Sequence, residues 1–458
     1  MPGVDGARSP WWGFSAVSVG VFMATLDGSI VNVALPSIRE AYGASIGGVE
    51  LVVSVYLLVI SATLLAAGRL GDAAGRRRVY AGGLLLFTLG SGLCGFAWSL
   101  PVLVGARAVQ ALGAAAMMSM APAIVTSIFP RERRGRALGA VSSVVAAGLT
   151  AGAPLGGAIL SFFPWHGIFL VNLPVGVAGA IWASRVLPAD GAEQGVPFDR
   201  GGAAWLGAAL VGGIGALEVA PHSATWALAL AGAAAVAAIF LWRTERRATA
   251  PLVDPELLRD RTVTLGLLAG LLSYAALFHQ VLLSPFFLSE VKGFEVAGMG
   301  AVMTVVPVAL MVTAPVSGWV SDRYGPRAPQ ILGGAMLAAG LLSLSLADGS
   351  SSTTSIVARL ALEGAGMGFF QPPNNSAVMG ALPRAKLGSG GGLLATARNV
   401  GMVVGVAMGG ALFAAGERTS FVLGWRLALG SGATMALAAG LLALVRPDGE
   451  GAGDRNVG

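Results

Sequence analysis

Asp27, Arg107, Arg359 and Glu363 are charged side chains set within apolar runs. An ionisable group at the centre of a bilayer costs about 2.5 to 3.5 kcal/mol on insertion scales, so one retained there is expected to have a use. Asp27 lies in the middle of the apolar run 13–36, and Arg107 lies inside the run 101–128. Burial favours the neutral acid and a nearby cation favours the carboxylate. Withdrawal and approach of an arginine would therefore load and unload a proton, and Arg107 is the candidate cation. The alternative is a static Asp27–Arg107 pair that ties two helices together. Glu363 and Arg359 are one helical turn apart, a spacing that suits either an internal ion pair or a proton or substrate role. Arg107, Gln110, Ala114 and Met117 share one helical face, a polar head opening onto an adaptable apolar wall. Thr25, Ser29 and Asn32 form a separate stripe that bonds a neighbour or lines a cavity. Phe278, Gln371 and Asn374 are weaker lining candidates beside Met117 and Gln110.

Other chemistries find little support. Cys94 is the sole cysteine and three scattered histidines remain, which argues against disulfides, a metal site or a catalytic constellation. No Gly-x-x-x-x-Gly-Lys-Ser/Thr loop occurs, so no nucleotide cofactor is expected.

The elements that must position these residues are membrane helices. The 458 residues are 55% apolar and 11% charged, which describes a polytopic all-α membrane protein rather than a soluble domain. Fourteen apolar runs, from 13–36 to 421–445, are long enough to cross. Sixty-eight glycines suit close helix contact in lipid. The net charge of +6 does not point to nucleic acid, because the basic residues alternate in their loops: most fall on one side, against Arg39, Lys292 and Arg418 on the other. This bias places both termini in the cytoplasm of a bacterial-type inner membrane.

A charged knot between two runs, Gly68-Arg69-Leu70-Gly71-Asp72-Ala73-Ala74-Gly75-Arg76-Arg77, recurs 250 residues later, where Gly318, Asp322, Gly325 and Arg327 match Gly68, Asp72, Gly75 and Arg77. Glycines allow the tight turn, arginines stay at the headgroups, and the aspartate is free to bond a helix end. Gly148, Gly152 and Gly156 recur as Gly401, Gly405 and Gly409. The chain thus reads as two related six-helix bundles, 13–187 and 263–446. A linker with two inserted helices, 188–262, separates them, and the cytoplasmic ends are 1–12 and 447–458.

The knot resembles the signature loop of the major facilitator superfamily. Further stretches are similar to its fourteen-helix drug:proton antiporter group: Leu26-Asp27-Gly28-Ser29-Ile30-Val31-Asn32-Val33-Ala34-Leu35-Pro36, Arg107-Ala108-Val109-Gln110-Ala111-Leu112-Gly113, and Trp165-His166-Gly167-Ile168-Phe169-Leu170-Val171-Asn172-Leu173-Pro174. Gly152-Ala153-Pro154-Leu155-Gly156-Gly157 resembles the group's antiporter motif, with the proline one position late. The resemblance implies a major facilitator fold of fourteen spans. It also implies a conformational latch at Asp72, with Gly68, Gly75, Arg76, Arg77 and the echo Asp322, which holds the cytoplasmic side shut by engaging the start of helix eleven. The expected activity is export of an amphiphilic small molecule in exchange for protons, by a monomer that needs no cofactor. A proton-coupled uptake symporter of the same fold and a non-transporting receptor or enzyme are the alternatives.

Overall fold

The computed structural model describes residues 9–130, 133–188, 199–220, 223–248, 255–383 and 386–446, and among them every regular element is helical. The helices are α1 Pro10–Tyr42, α2 Ile46–Ala74, α3 Arg76–Gly95, α4 Leu100–Ile128, α5 Arg134–Phe162, α6 Gly167–Leu170, α7 Asn172–Val186 and α8 Arg200–Val219. They continue as α9 Ala224–Glu245, α10 Arg261–Phe286, α11 Val296–Met303, α12 Val305–Tyr324, α13 Arg327–Ser345, α14 Thr353–Gly380, α15 Leu387–Glu417 and α16 Phe421–Val445.

Local chemistry sets the boundaries. Serine side chains cap four of the described helices: Ser45, Ser223, Ser352 and Ser420 each accept a bond from a first-turn N–H of α2, α9, α14 and α16. The knot turns on Gly75, whose φ of 96° an L side chain rarely adopts, and its echo turns on Gly325 at φ 84°. Pro285 near the end of α10 removes a backbone donor, and the chain continues as a π-helical turn over Phe287–Val291.

Among the described residues, twelve segments are long and apolar enough to cross a membrane, by length and composition. Of the fourteen runs read from the sequence, the two that fall outside this set are α3 and α14. Their composition explains it. α3 opens on Arg76, Arg77 and Arg78, and α14 carries Arg359, Glu363, Gln371, Asn374 and Asn375.

The chain divides into two compact units, Met1–Gly212 with Ser284–Thr304, and Gly213–Leu283 with Val305–Gly458. In the first unit α3 packs on α4, α1 on α5, and α5 also on α11. In the second, α14 lies between α13 and α12, and α13 also packs on α16. Glycines let these backbones meet. A Cβ on Gly148, Gly152 or Gly156 of α5 would run into α1 at Thr25, Ser29 and Ile30, and one on Gly401, Gly405 or Gly409 of α15 would meet α10 at Leu271, Ala275 and His279. Gly157 faces Val296, Ala297 and Gly300 of α11, while Pro154 is exposed.

Candidate functional site

A closed polar cluster sits at the heart of the first unit, contributed by α1, α2, α3, α4 and α7. Asp27 is fully buried on α1 and Arg107 is 1% exposed on α4. Arg107 Nη1 donates to Asp27 Oδ2 at 2.5 Å and to Gln110 Oε1 at 2.7 Å, and its Nε donates to the Val52 carbonyl of α2 at 3.0 Å. Its guanidinium lies 3.9 Å from the centroid of the Tyr56 ring, a cation–π contact made in a dry setting. The other carboxylate oxygen is also occupied. Gln110 Nε2 donates to Asp27 Oδ1 at 2.8 Å, and Asn172 Nδ2 donates to it at 3.3 Å. Ser91 of α3 braces the cluster: its Oγ accepts from Gln110 and Asn172 at 3.2 and 3.0 Å and donates to the Phe169 carbonyl at 2.9 Å.

The break between α6 and α7 matters here. It places Asn172 at the first position of α7, with its amide turned to Asp27 and Ser91. A carboxylate that accepts a guanidinium and two amides has its charge well met.

Glu363 on α14 is in the opposite situation. It is fully buried, and neither carboxyl oxygen has a hydrogen-bond partner among the described residues. The internal ion pair that its spacing from Arg359 allows is not formed. The carboxyl-bearing residue is sealed against α13, where a Cβ on Gly340 would touch the Glu363 backbone and Cβ, while Arg359 stays half-buried with Nη1 unpaired.

The remaining sequence candidates are dispersed. Asn32 Nδ2 donates to the Gly28 carbonyl of its own helix at 2.9 Å, and Ser29 Oγ donates to the Leu149 carbonyl of α5 at 2.9 Å. Met117 is buried against Gly20, and Gln110 belongs to the Asp27 cluster. In the second unit Gln371 Nε2 donates to Ser273 Oγ at 2.8 Å, Asn374 Nδ2 donates to the Gly266 carbonyl at 3.0 Å, and Phe278 is buried on α10. In the knot Gly68 faces open space, Arg76 is half-buried and Asp322 is exposed. Arg77 donates to the Ser184 carbonyl at the end of α7, and Arg327 likewise to the Leu444 carbonyl at the end of α16. A cation there meets the negative end of a helix. The Asp72 side chain, and with it the latch contact, lies outside the described residues.

Sequence reasoning left Asn172, Tyr56, Ser91 and Glu50 without a role. Glu50 is 2% exposed on α2, and an acid just inside an apolar run was a signal available in the sequence. Asn172 and Ser91 carried no such signal, because polar uncharged residues are common in membrane helices.

The family model described as Major Facilitator Superfamily matches residues 17–406 and 266–457. The chain belongs to this superfamily. Its relatives include the multidrug resistance protein Stp of Mycobacterium tuberculosis, 33% identical over 405 residues that cover 87% of this chain and 75% of Stp. The riboflavin transporter RibZ of Clostridioides difficile is 32% identical over 408 residues, 89% of each chain. Among solved structures, a POT family transporter in complex with a thioalcohol-conjugated peptide has a TM-score of 0.71 at 16% identity, over 94% of this chain and 95% of that one, a likeness of fold. This facilitator is therefore a multi-pass membrane transporter rather than an enzyme, related to multidrug-resistance efflux proteins.

Proposed function

We propose that this transporter exports amphiphilic small molecules, drugs or other toxic compounds, in exchange for protons by alternating access, with no cofactor. The observation that carries the reading is the buried Asp27–Arg107–Gln110–Asn172 cluster, an acid whose charge depends on contacts from two other helices, α4 and α7. Movement among those helices would change the stability of the Asp27 charge, and that links proton occupancy to conformation. Each inward proton releases about 2.3 kcal/mol per 100 mV of membrane potential and ~1.36 kcal/mol per pH unit. Asn32, Gln110 and Met117 in the first unit and Phe278, Gln371 and Asn374 in the second are the candidate substrate-lining residues.

The reading includes fourteen spans with both termini cytoplasmic in a bacterial-type inner membrane. α3 has 20 residues and α14 has 28, enough to cross at ~1.5 Å per residue, and both are packed inside their units. Two six-helix bundles, 13–187 and 263–446, then flank the inserted pair in 188–262, and the chain works as a monomer. Asp72, Gly68, Gly75, Arg76, Arg77 and Asp322 would form the cytoplasmic latch. Gly148, Gly152, Pro154, Gly156 and Gly157 would form the antiporter motif on α5.

Everted membrane vesicles carrying the chain test the reading. Addition of a substrate should dissipate a preformed pH gradient, as reported by a proton-sensitive dye, and Asp27→Asn should abolish that response while the protein remains inserted. Undiminished export by Asp27→Asn would remove Asp27 from coupling. The relative named a riboflavin transporter supports a second reading, a proton-coupled uptake symporter for a flavin-like molecule. Under that reading substrate and protons move in the same direction in the same vesicles.

A further inference from the structure

The two units share a glycine scaffold whose register can be matched residue by residue. In the first, a Cβ on Gly113 of α4 would strike the Phe87 backbone and the Gly83 carbonyl of α3, and one on Gly90 of α3 would strike the backbone of Gln110. In the second, a Cβ on Gly366 of α14 would strike the Leu337 backbone and the Gly333 carbonyl of α13, and one on Gly340 would strike the backbone of Glu363. Gly83, Phe87 and Gly90 thus correspond to Gly333, Leu337 and Gly340, and Gln110 and Gly113 to Glu363 and Gly366. The same register matches Arg107 with Leu360. Glu363 therefore occupies the place of Gln110, but the cation one turn away has become a buried leucine.

The neighbourhood of Glu363 offers no compensation. α13 has no ionisable residue beyond Arg327 at its first position, and α12 has none before Asp322, Arg323 and Tyr324 in its last turn. On α14 itself Arg359 is half-buried and makes no bond to Glu363. α15 brings Arg398, which is bonded to Tyr274 of α10, and Glu417 at its far end; His279 of α10 is bound through Nδ1 to the Ala275 carbonyl. A carboxylate removed from water with no donor and no cation at hand takes a proton rather than keep its charge.

We infer that Glu363 is held as the neutral carboxylic acid in this conformation and carries a proton of the exchange, while Asp27 carries the charge that Arg107 balances. This rests on the proton-driven reading above. Release breaks the Glu363 O–H bond and passes H⁺ to water once α14 is wetted, and reloading reverses the step without any other reactant. The transporter then has two acids in opposite states in a single conformation, one empty in the first unit and one loaded in the second.

Infrared spectroscopy of the purified full chain in lipid at neutral pH, with ¹³C-glutamate labelling, tests the protonation directly. The carbonyl stretch of an unbonded carboxylic acid should be present in the wild type and in Asp27→Asn, shift with the label, and vanish in Glu363→Gln. Its absence from the wild type, or its persistence in Glu363→Gln, overturns the inference whatever the transport result. In proteoliposomes with ethidium as the probe, Glu363→Gln should keep ethidium exchange but lose at least tenfold of the accumulation driven by a pH gradient. Glu363→Asp, which keeps a titratable group, should recover part of it. Equal gradient-driven accumulation by wild type and Glu363→Gln also overturns the inference. If wild-type accumulation ignores the pH gradient, the antiport reading falls instead, and the infrared band still reports the state of Glu363.

Discussion

At the place where Gln110 spans Asp27 and Ser91 in the first unit, the second unit has Glu363 with both oxygens unpartnered. The backbones around the two positions are held by the same glycines in the same register, so the difference is chemical and not architectural. A duplicated scaffold can therefore keep its packing while its polar content diverges. Helix contact depends on small residues at fixed spacing, whereas the side chain that rests on that contact is free to change. One unit satisfies a buried charge completely, and the other keeps a buried acid without a partner.

The largest effect should come from taking the cation out of the satisfied cluster. Arg107→Ala leaves Asp27 buried with two amides only, and breaking a buried pair of this kind costs about 3 to 5 kcal/mol. Thermal unfolding in detergent should show that loss together with abolished transport. The double variant Asp27→Asn with Arg107→Gln should regain much of the stability and none of the transport; a fully active double variant would break the contrast between the units.

Next come the matched glycines. Gly90→Val and Gly340→Val each force α3 from α4 or α13 from α14, and overpacking of this kind costs about 1 to 3 kcal/mol. The two losses should be similar, since the scaffold is shared; unequal unfolding shifts would show that the contacts differ in more than the side chain they support. Arg77→Ala and Arg327→Ala form a smaller matched pair. Each removes a charged donor from a helix-end carbonyl, for about 1 to 2 kcal/mol, and denaturant melts should show comparable effects.

The smallest expected effect is at an unmatched position. Asp348, in the turn between α13 and α14, accepts bonds from the Ser350 and Ser351 backbone N–H groups and hydroxyls, and those bonds hold its carboxyl below the usual range. A carboxylate with a lowered folded-state pKa stabilises the fold at pH above its unfolded value and loses that contribution as pH falls through the folded value. Asp348→Ala should thus lower the melting temperature slightly at neutral pH and leave it unchanged in strong acid. The corresponding turn of the first unit has the exposed Trp98, and Trp98→Ala should show no such pH dependence.

Much of the architecture was legible in the sequence because its signals are local. Apolar length marked the helices, Gly75 and Gly325 marked the turns, and the recurring glycines on α5 and α15 revealed the duplication before any contact was known. Asp27 and Arg107 were conspicuous because charges in apolar runs are expensive. Glu363 was conspicuous for the same reason, but its spacing from Arg359 suggested a pairing that is not formed. Spacing along a helix says which residues share a side and not what a neighbouring helix leaves room for. The reach of Asn172 was hidden because it depends on a break in the backbone after α6.

The sequence by itself determined that this chain is a duplicated helical membrane transporter with ionisable residues inside apolar runs at Asp27, Arg107 and Glu363, because hydropathy, glycine spacing and residue type are properties of residue order. Only the tertiary structure decided which of those groups is answered by a partner. The bonds that satisfy Asp27 come from helices separated from it by up to 145 residues, and Glu363 is bare because no donor from α12, α13 or α15 reaches it. Hydrogen bonds and ion pairs act over a few ångströms in space, and that proximity exists only once the helices have packed.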